Sequence, residues 1–221
     1  MPDFRQTRSS IARWRNILVL SYSKLIELGA SDVWVYGSQA MSLYMKRPLT
    51  SKDLDLLASG TSIAMIKKLC EFLAPVSSNH KKPSWNYLEL EHGDFTNPFF
   101  QIYLNAEGER PFIIELFQTY NGHNLRELTP YSTYVKRWEN EFQTLTIEAI
   151  IGTRLAFRPP EGISAFNAQR LNSFLKAVKV DWTQVEQFAR TFHLETRIKE
   201  NLRELGGRKI KIQGSNKLSF L

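Results

Sequence analysis

The run Asp53-Leu54-Asp55-Leu56-Leu57 limits what this chain can fold into more than any other stretch. A strand alternates its side chains, so the spacing puts both carboxylates on one face and Leu54 and Leu56 on the other. Two adjacent carboxylates repel each other, and a hard dication such as Mg²⁺ is the usual group that holds them together. Upstream, Val33-Trp34-Val35-Tyr36 is β-branched and aromatic and reads as a strand. Gly37-Ser38 breaks that strand, and an apolar-periodic segment to Tyr44 reads as a helix. The order is therefore strand, Gly-Ser turn, helix, acid-bearing strand.

A third acid lies further on. Glu115 is the one acid in the apolar run Phe112-Ile113-Ile114-Glu115-Leu116-Phe117. A carboxylate there is costly to bury without a cation or partner. The preceding run from Phe99 to Leu104 and a polar turn lead into it, so Glu115 is expected on the second arm of a hairpin.

Gly37-Ser38, Asp53-x-Asp55 and a later strand acid, in that order, resemble the nucleotidyltransferase superfamily with its polymerase-beta-like fold. The spacing is most similar to the AbiEii-type branch, which includes toxin-like and antibiotic-modifying members. The resemblance covers residues 30–120 well and 145–180 loosely. Arg154-Leu155 stands where that branch often has Lys-Leu, whereas Arg170-Leu-Asn-Ser lacks the acid of an Arg-x-x-Asp pattern. The resemblance implies transfer of a nucleoside monophosphate from an NTP to an acceptor hydroxyl on RNA (tRNA, for example), a protein or a small molecule. It implies Mg²⁺ or Mn²⁺ held by Asp53, Asp55 and Glu115, with Glu115 able to take the acceptor's proton. Gly37, Ser38, Lys52 and Arg154 would hold the nucleotide. A glycine lets the backbone approach phosphate, and a helix N-terminus favours an anion. The plainer reading of Gly37-Ser38 is a strand-to-helix turn with Ser38 as the cap. The alternative for the whole protein is an inactive member of the fold that binds RNA or a protein partner.

The rest of the chain fits an α+β protein: a small mixed sheet with helices, then a helical region. Ser9-Ser10 are expected to cap a first helix that stops at Gly29, and Thr61-Ser62 to open another. Strands are expected from Trp85, Phe99, Pro111, Thr133 and Phe142. From Thr146 onward four helices follow, the last ended by Gly206-Gly207, which divides the chain into a catalytic part, 1–145, and a helical part, 146–221.

Composition narrows the setting. No apolar run is long enough to span a bilayer, and the N-terminus has no apolar signal core, so a cytoplasmic protein is expected. A single cysteine, Cys70, excludes a disulfide framework and reads as a small core residue. The four histidines show no metal-ligand spacing. Net charge is +7, and residues 197–221 hold seven basic against two acidic side chains. That balance favours a polyanionic partner such as RNA. Trp85, beside a basic stretch, reads as core, with base stacking as its other possible use.

Overall fold

The structure is a computed structural model that describes residues 7–51, 53–77, 82–92, 95–106, 109–157 and 164–221. Its spine is a seven-stranded mixed sheet. In chain order the strands are β1 (Asp32–Val35), β2 (Asp53–Ser59), β3 (Ser84–His92), β4 (Phe95–Ala106), β5 (Glu109–Phe117), then β8 (Ser132–Arg137) and β9 (Asn140–Leu145), with a two-residue pair, β6 (Thr119–Tyr120) and β7 (His123–Asn124), between them. The sheet order is β3-β4-β5-β2-β1-β9-β8. β2 runs antiparallel to β1 and parallel to β5, and β1 runs parallel to β9. β4 and β5 form the expected hairpin.

Helices α1 (Thr7–Glu27) and α3 (Ile63–Leu73) cover the back of the sheet. Trp14, Leu18 and Leu25 of α1 and Leu69 and Cys70 of α3 pack there against Leu54, Leu56, Ile102 and Ile114. Ser9 and Ser10 lie inside α1 and not at its cap, because the helix begins before them. Its end is as expected: Gly29 takes φ +92, which suits glycine past a helix C-terminus. Ser62 caps α3 by accepting from the Met65 N–H. Trp85 sits on Phe100 with 6.0 Å between ring centroids, behind the sheet and away from the acids.

The front of the sheet is covered by α2 (Gly37–Tyr44) and by the C-terminal helices α4 (Ile147–Ala156), α5 (Ala165–Ala177), α6 (Trp182–Thr191) and α7 (Glu195–Gly207). One apolar cluster joins them. It takes Trp34 and Leu57 from the sheet, Ala40 and Met41 from α2, and Ile150, Phe174, Phe188 and Ile198 from the later helices. α7 ends at Gly207, as expected. The left-handed residue comes at Lys209, φ +59, after Arg208 has capped Glu204 through its N–H. The segment from Thr119 to Tyr131, with β6, β7 and a 3₁₀ turn, packs Leu125 and Leu128 into the same cluster.

Candidate active site

Period two decides where the acids go. Asp55 is the register partner of Glu115, and Glu115 that of Gln101 on β4. Asp53, Asp55, Glu115 and Gln101 therefore share the front face, while Leu54, Leu56, Ile114 and Leu116 lie fully buried behind it. The three expected acids thus share one face.

Their electrostatics show the strain of that proximity. Burial, then the charges of Asp53 and Glu115, push the Asp55 carboxyl well above the usual carboxylate range; Arg154 and Arg170 pull the other way. Burial also raises Glu115, against a hydrogen bond from Gln101; the Asp53 charge raises it further, and a hydrogen bond with Asp55 opposes that.

Each acid is held by neighbours. Ser51 Oγ donates to Asp53 Oδ1 at 2.5 Å, and Ser38 Oγ lies 3.3 Å from Ser51 Oγ. Gln39, fully buried on α2, donates through Nε2 to the Asp53 carbonyl and accepts from the Asp55 N–H at 3.4 Å. Its side-chain amide thus pairs with β2 just past the end of β1, as a further strand residue would. Gln101 Nε2 donates to Glu115 Oε1 at 2.6 Å.

Gly37 stands directly against the acids. Its φ is +64, and a Cβ there would come within 1.8 Å of Asp55 Oδ2. Only glycine allows both the backbone angle and the contact. The cap position of α2 is Tyr36, without a side-chain cap bond, so Ser38 is not the helix cap. Its hydroxyl is instead buried toward Ser51.

The cations come from the C-terminal helices. Arg154 of α4 acts on Asp55 and on Tyr36, and among the described residues its buried Nε has no hydrogen-bond partner. Tyr36, pushed up to about 12 mainly by burial, is packed beside it and bonded to Thr153. Arg170 of α5 donates to the Thr50 carbonyl, just ahead of β2, and its charge also reaches Asp53 and Asp55. Burial lowers its pKa, but a guanidinium stays protonated in a protein. Both arginines line a cleft with Met41, Asn167 and Asn201. Lys52 lies outside the described residues. Arg170, Gln39, Ser51 and Gln101 are the functional neighbours that sequence reasoning missed. Arg170 was visible only as an imperfect motif, and the other three carried no local signal.

The donor set suits a hard dication: three carboxylates on one face, with Asp55 destabilised as an anion. Among the described residues no three such side chains are yet spaced around one point. In this arrangement Ser51 donates to Asp53 Oδ1 and Gln101 to Glu115 Oε1.

The fold is shared with solved structures of low sequence identity. Compared with solved structures, the chain resembles the antibiotic-resistance factor ANT(2'')-Ia, with 12% identity and a TM-score of 0.52 over 86% of this chain and 96% of that one. A nucleotidyltransferase-like protein from Paracoccidioides brasiliensis is matched at 14% identity and a TM-score of 0.47, over 94% of this chain and 97% of that one. At such identity the likeness establishes the fold alone. No family model matches the sequence, and no curated protein does. Among the described residues no helix is long and apolar enough to cross a membrane.

Proposed function

We propose that this protein is a metal-dependent nucleotidyltransferase that moves a nucleoside monophosphate from an NTP to an acceptor hydroxyl. The observation that carries this reading is the shared face of Asp53, Asp55 and Glu115 opposite the guanidinium charges of Arg154 and Arg170. Acids of this kind serve a cation, and arginines beside them serve phosphates.

In the reaction the acceptor oxygen bonds to the α-phosphorus as the bond to pyrophosphate breaks. Mg²⁺ or Mn²⁺ held by Asp53, Asp55 and Glu115 would neutralise charge on the phosphates. Ionised Glu115 takes the acceptor's proton. The turn at Gly37-Ser38 offers backbone N–H groups at the start of α2, and Arg154 and Arg170 hold the phosphates and the departing pyrophosphate. Arg154 Nε, buried and unpaired among the described residues, is a donor in want of such an anion. Within the class, the AbiEii-type, toxin–antitoxin-like assignment rests on the sequence spacing alone, and an NTP-using enzyme of this kind acts in the cytoplasm. The acceptor is RNA such as tRNA, a protein, or a small molecule; the basic residues 197–221 favour RNA.

One observation favours a second reading, an inactive protein of this fold that binds RNA or a protein partner: the acids are not spaced around one point. Titration calorimetry of each NTP with and without Mn²⁺ separates the two. The transferase reading expects nucleotide binding only with metal, lost in the Asp53→Ala/Asp55→Ala double variant. If no NTP binds under any condition, the second reading replaces it.

A further inference from the structure

Glu115 is the end of a chain of two hydrogen bonds. Tyr103 OH donates to Gln101 Oε1 at 2.6 Å, and Gln101 Nε2 donates to Glu115 Oε1 at 2.6 Å. All three side chains are half-buried on the front face, Gln101 and Tyr103 on β4 and Glu115 on β5. The order of the bonds matters. A carboxylate oxygen needs a donor, and an amide offers one only from its nitrogen. A phenol hydroxyl that donates to Oε1 fixes which end of the amide faces Tyr103, so the NH₂ end must face Glu115. Tyr103 thus locks the amide, and the amide locks one oxygen of Glu115. The other interactions of Glu115 are with Asp55 and Asp53, the two acids of β2.

The back face shows what this is not. The neighbours of these residues on β4, Phe100 and Ile102, are buried and supply the packing of that strand. Gln101 and Tyr103 add little to it. A half-exposed amide that leaves water for a carboxylate gains little net stability. Its effect is on where the carboxylate points.

We propose that Gln101 and Tyr103 are positioning residues for Glu115, which fix its carboxylate in the orientation that a divalent cation at the acid cluster requires. The proposal rests on the transferase reading above. Outer hydrogen bonds of this kind orient metal-binding side chains and tune their affinity.

The test is Mn²⁺ binding to the full chain without nucleotide, read from the electron paramagnetic resonance of free Mn²⁺, with thermal unfolding measured alongside. Gln101→Ala is expected to weaken Mn²⁺ binding by about 10–100-fold, the usual effect of losing such a partner. Tyr103→Phe keeps the ring and its packing and is expected to weaken it by about fivefold, one ordinary hydrogen bond's worth. In a Glu115→Gln background, Gln101→Ala should cause no further loss, because the two act through one group. Unchanged Mn²⁺ affinity in Tyr103→Phe and Gln101→Ala, or independent and multiplying losses in the double variant, would overturn the positioning role while leaving the transferase reading standing. If Gln101→Ala does not fold, Tyr103→Phe decides the matter. If the wild type itself binds no Mn²⁺, the positioning role and the reading beneath it fall together.

Discussion

Asp53, Leu54, Asp55 and Leu56 are consecutive, yet they belong to two different environments. Behind the sheet, Leu54 and Leu56 are fully buried in an apolar cluster. In front, Asp53 and Asp55 meet hydroxyls, amides, another acid and two arginines. The back face spends its residues on stability. The front face holds charges that repel, and burial and those charges push the Asp55 carboxyl well above the usual carboxylate range. A single strand can do both because its side chains alternate, and the contrast between adjacent positions can be measured.

The largest effect should come from the back. Leu54→Ala opens a cavity in a closed core and is expected to cost about 2–5 kcal/mol, read by urea unfolding. A cost below 1 kcal/mol would mean that the back face is not the stabilising one. Next is Gly37→Ala, where a positive φ and a collision with Asp55 coincide. It should cost about 1–3 kcal/mol. It should also displace Asp55, so metal-dependent NTP binding is expected to fall more than stability does.

Asp55→Asn should have the opposite sign to Leu54→Ala, one residue away. Asp55 has a raised pKa in the folded protein, so its contribution is most favourable below the ordinary value of 3.8 and is lost as the pH rises through the folded pKa. Without metal, the variant should therefore gain on the wild type from pH 5 to pH 8. A Tm increase of roughly 2–4 °C at pH 8 is the scale of one relieved repulsion in a chain of this length. A variant less stable than wild type at pH 8 would break the contrast between the faces. NTP binding should nonetheless be lost.

The smallest effect lies far from both faces. Glu186 on α6 accepts from Ser219 and Arg190, and these bonds hold its carboxyl down to about 2. A depressed pKa stabilises above the ordinary value of 4.5 and is lost as the pH falls toward about 2. Glu186→Gln should lower Tm slightly at pH 7, and the difference should shrink below pH 4.5. An equal difference at pH 3 and pH 7 would mean that charge has no part in it.

The two faces also differ in how far the sequence revealed them. Asp53, Asp55 and Glu115 were legible because strand periodicity is local, and an acid among Phe, Ile and Leu stands out. The mixed sheet and the later helices were legible for the same reason. Arg170 showed only as an imperfect Arg-x-x-Asp motif; its role comes from packing α5 against the approach to β2. Gln39 was hidden inside a short helix and Gln101 inside a strand, each made relevant by register with a distant partner. Ser38 looked like a cap because serine often is one, but the cap position falls two residues earlier, at Tyr36. The pair β6 and β7, two residues each, is too short to show any period.

The contact between Arg170 and Thr50 has a consequence for the order in which the protein is made. The acids leave the ribosome first. Arg154 follows Asp55 by 99 residues (154 − 55) and Arg170 by 115 (170 − 55). At ordinary rates of synthesis that interval is on the order of ten seconds. From the emergence of Glu115 until that of Arg154, 39 residues later (154 − 115), the acids can already be close while the guanidinium groups that ease their repulsion are still unmade. A nascent chain halted before α4 would carry an acid cluster without Arg154 and Arg170, so the centre becomes electrically whole only after the helical layer has emerged and docked.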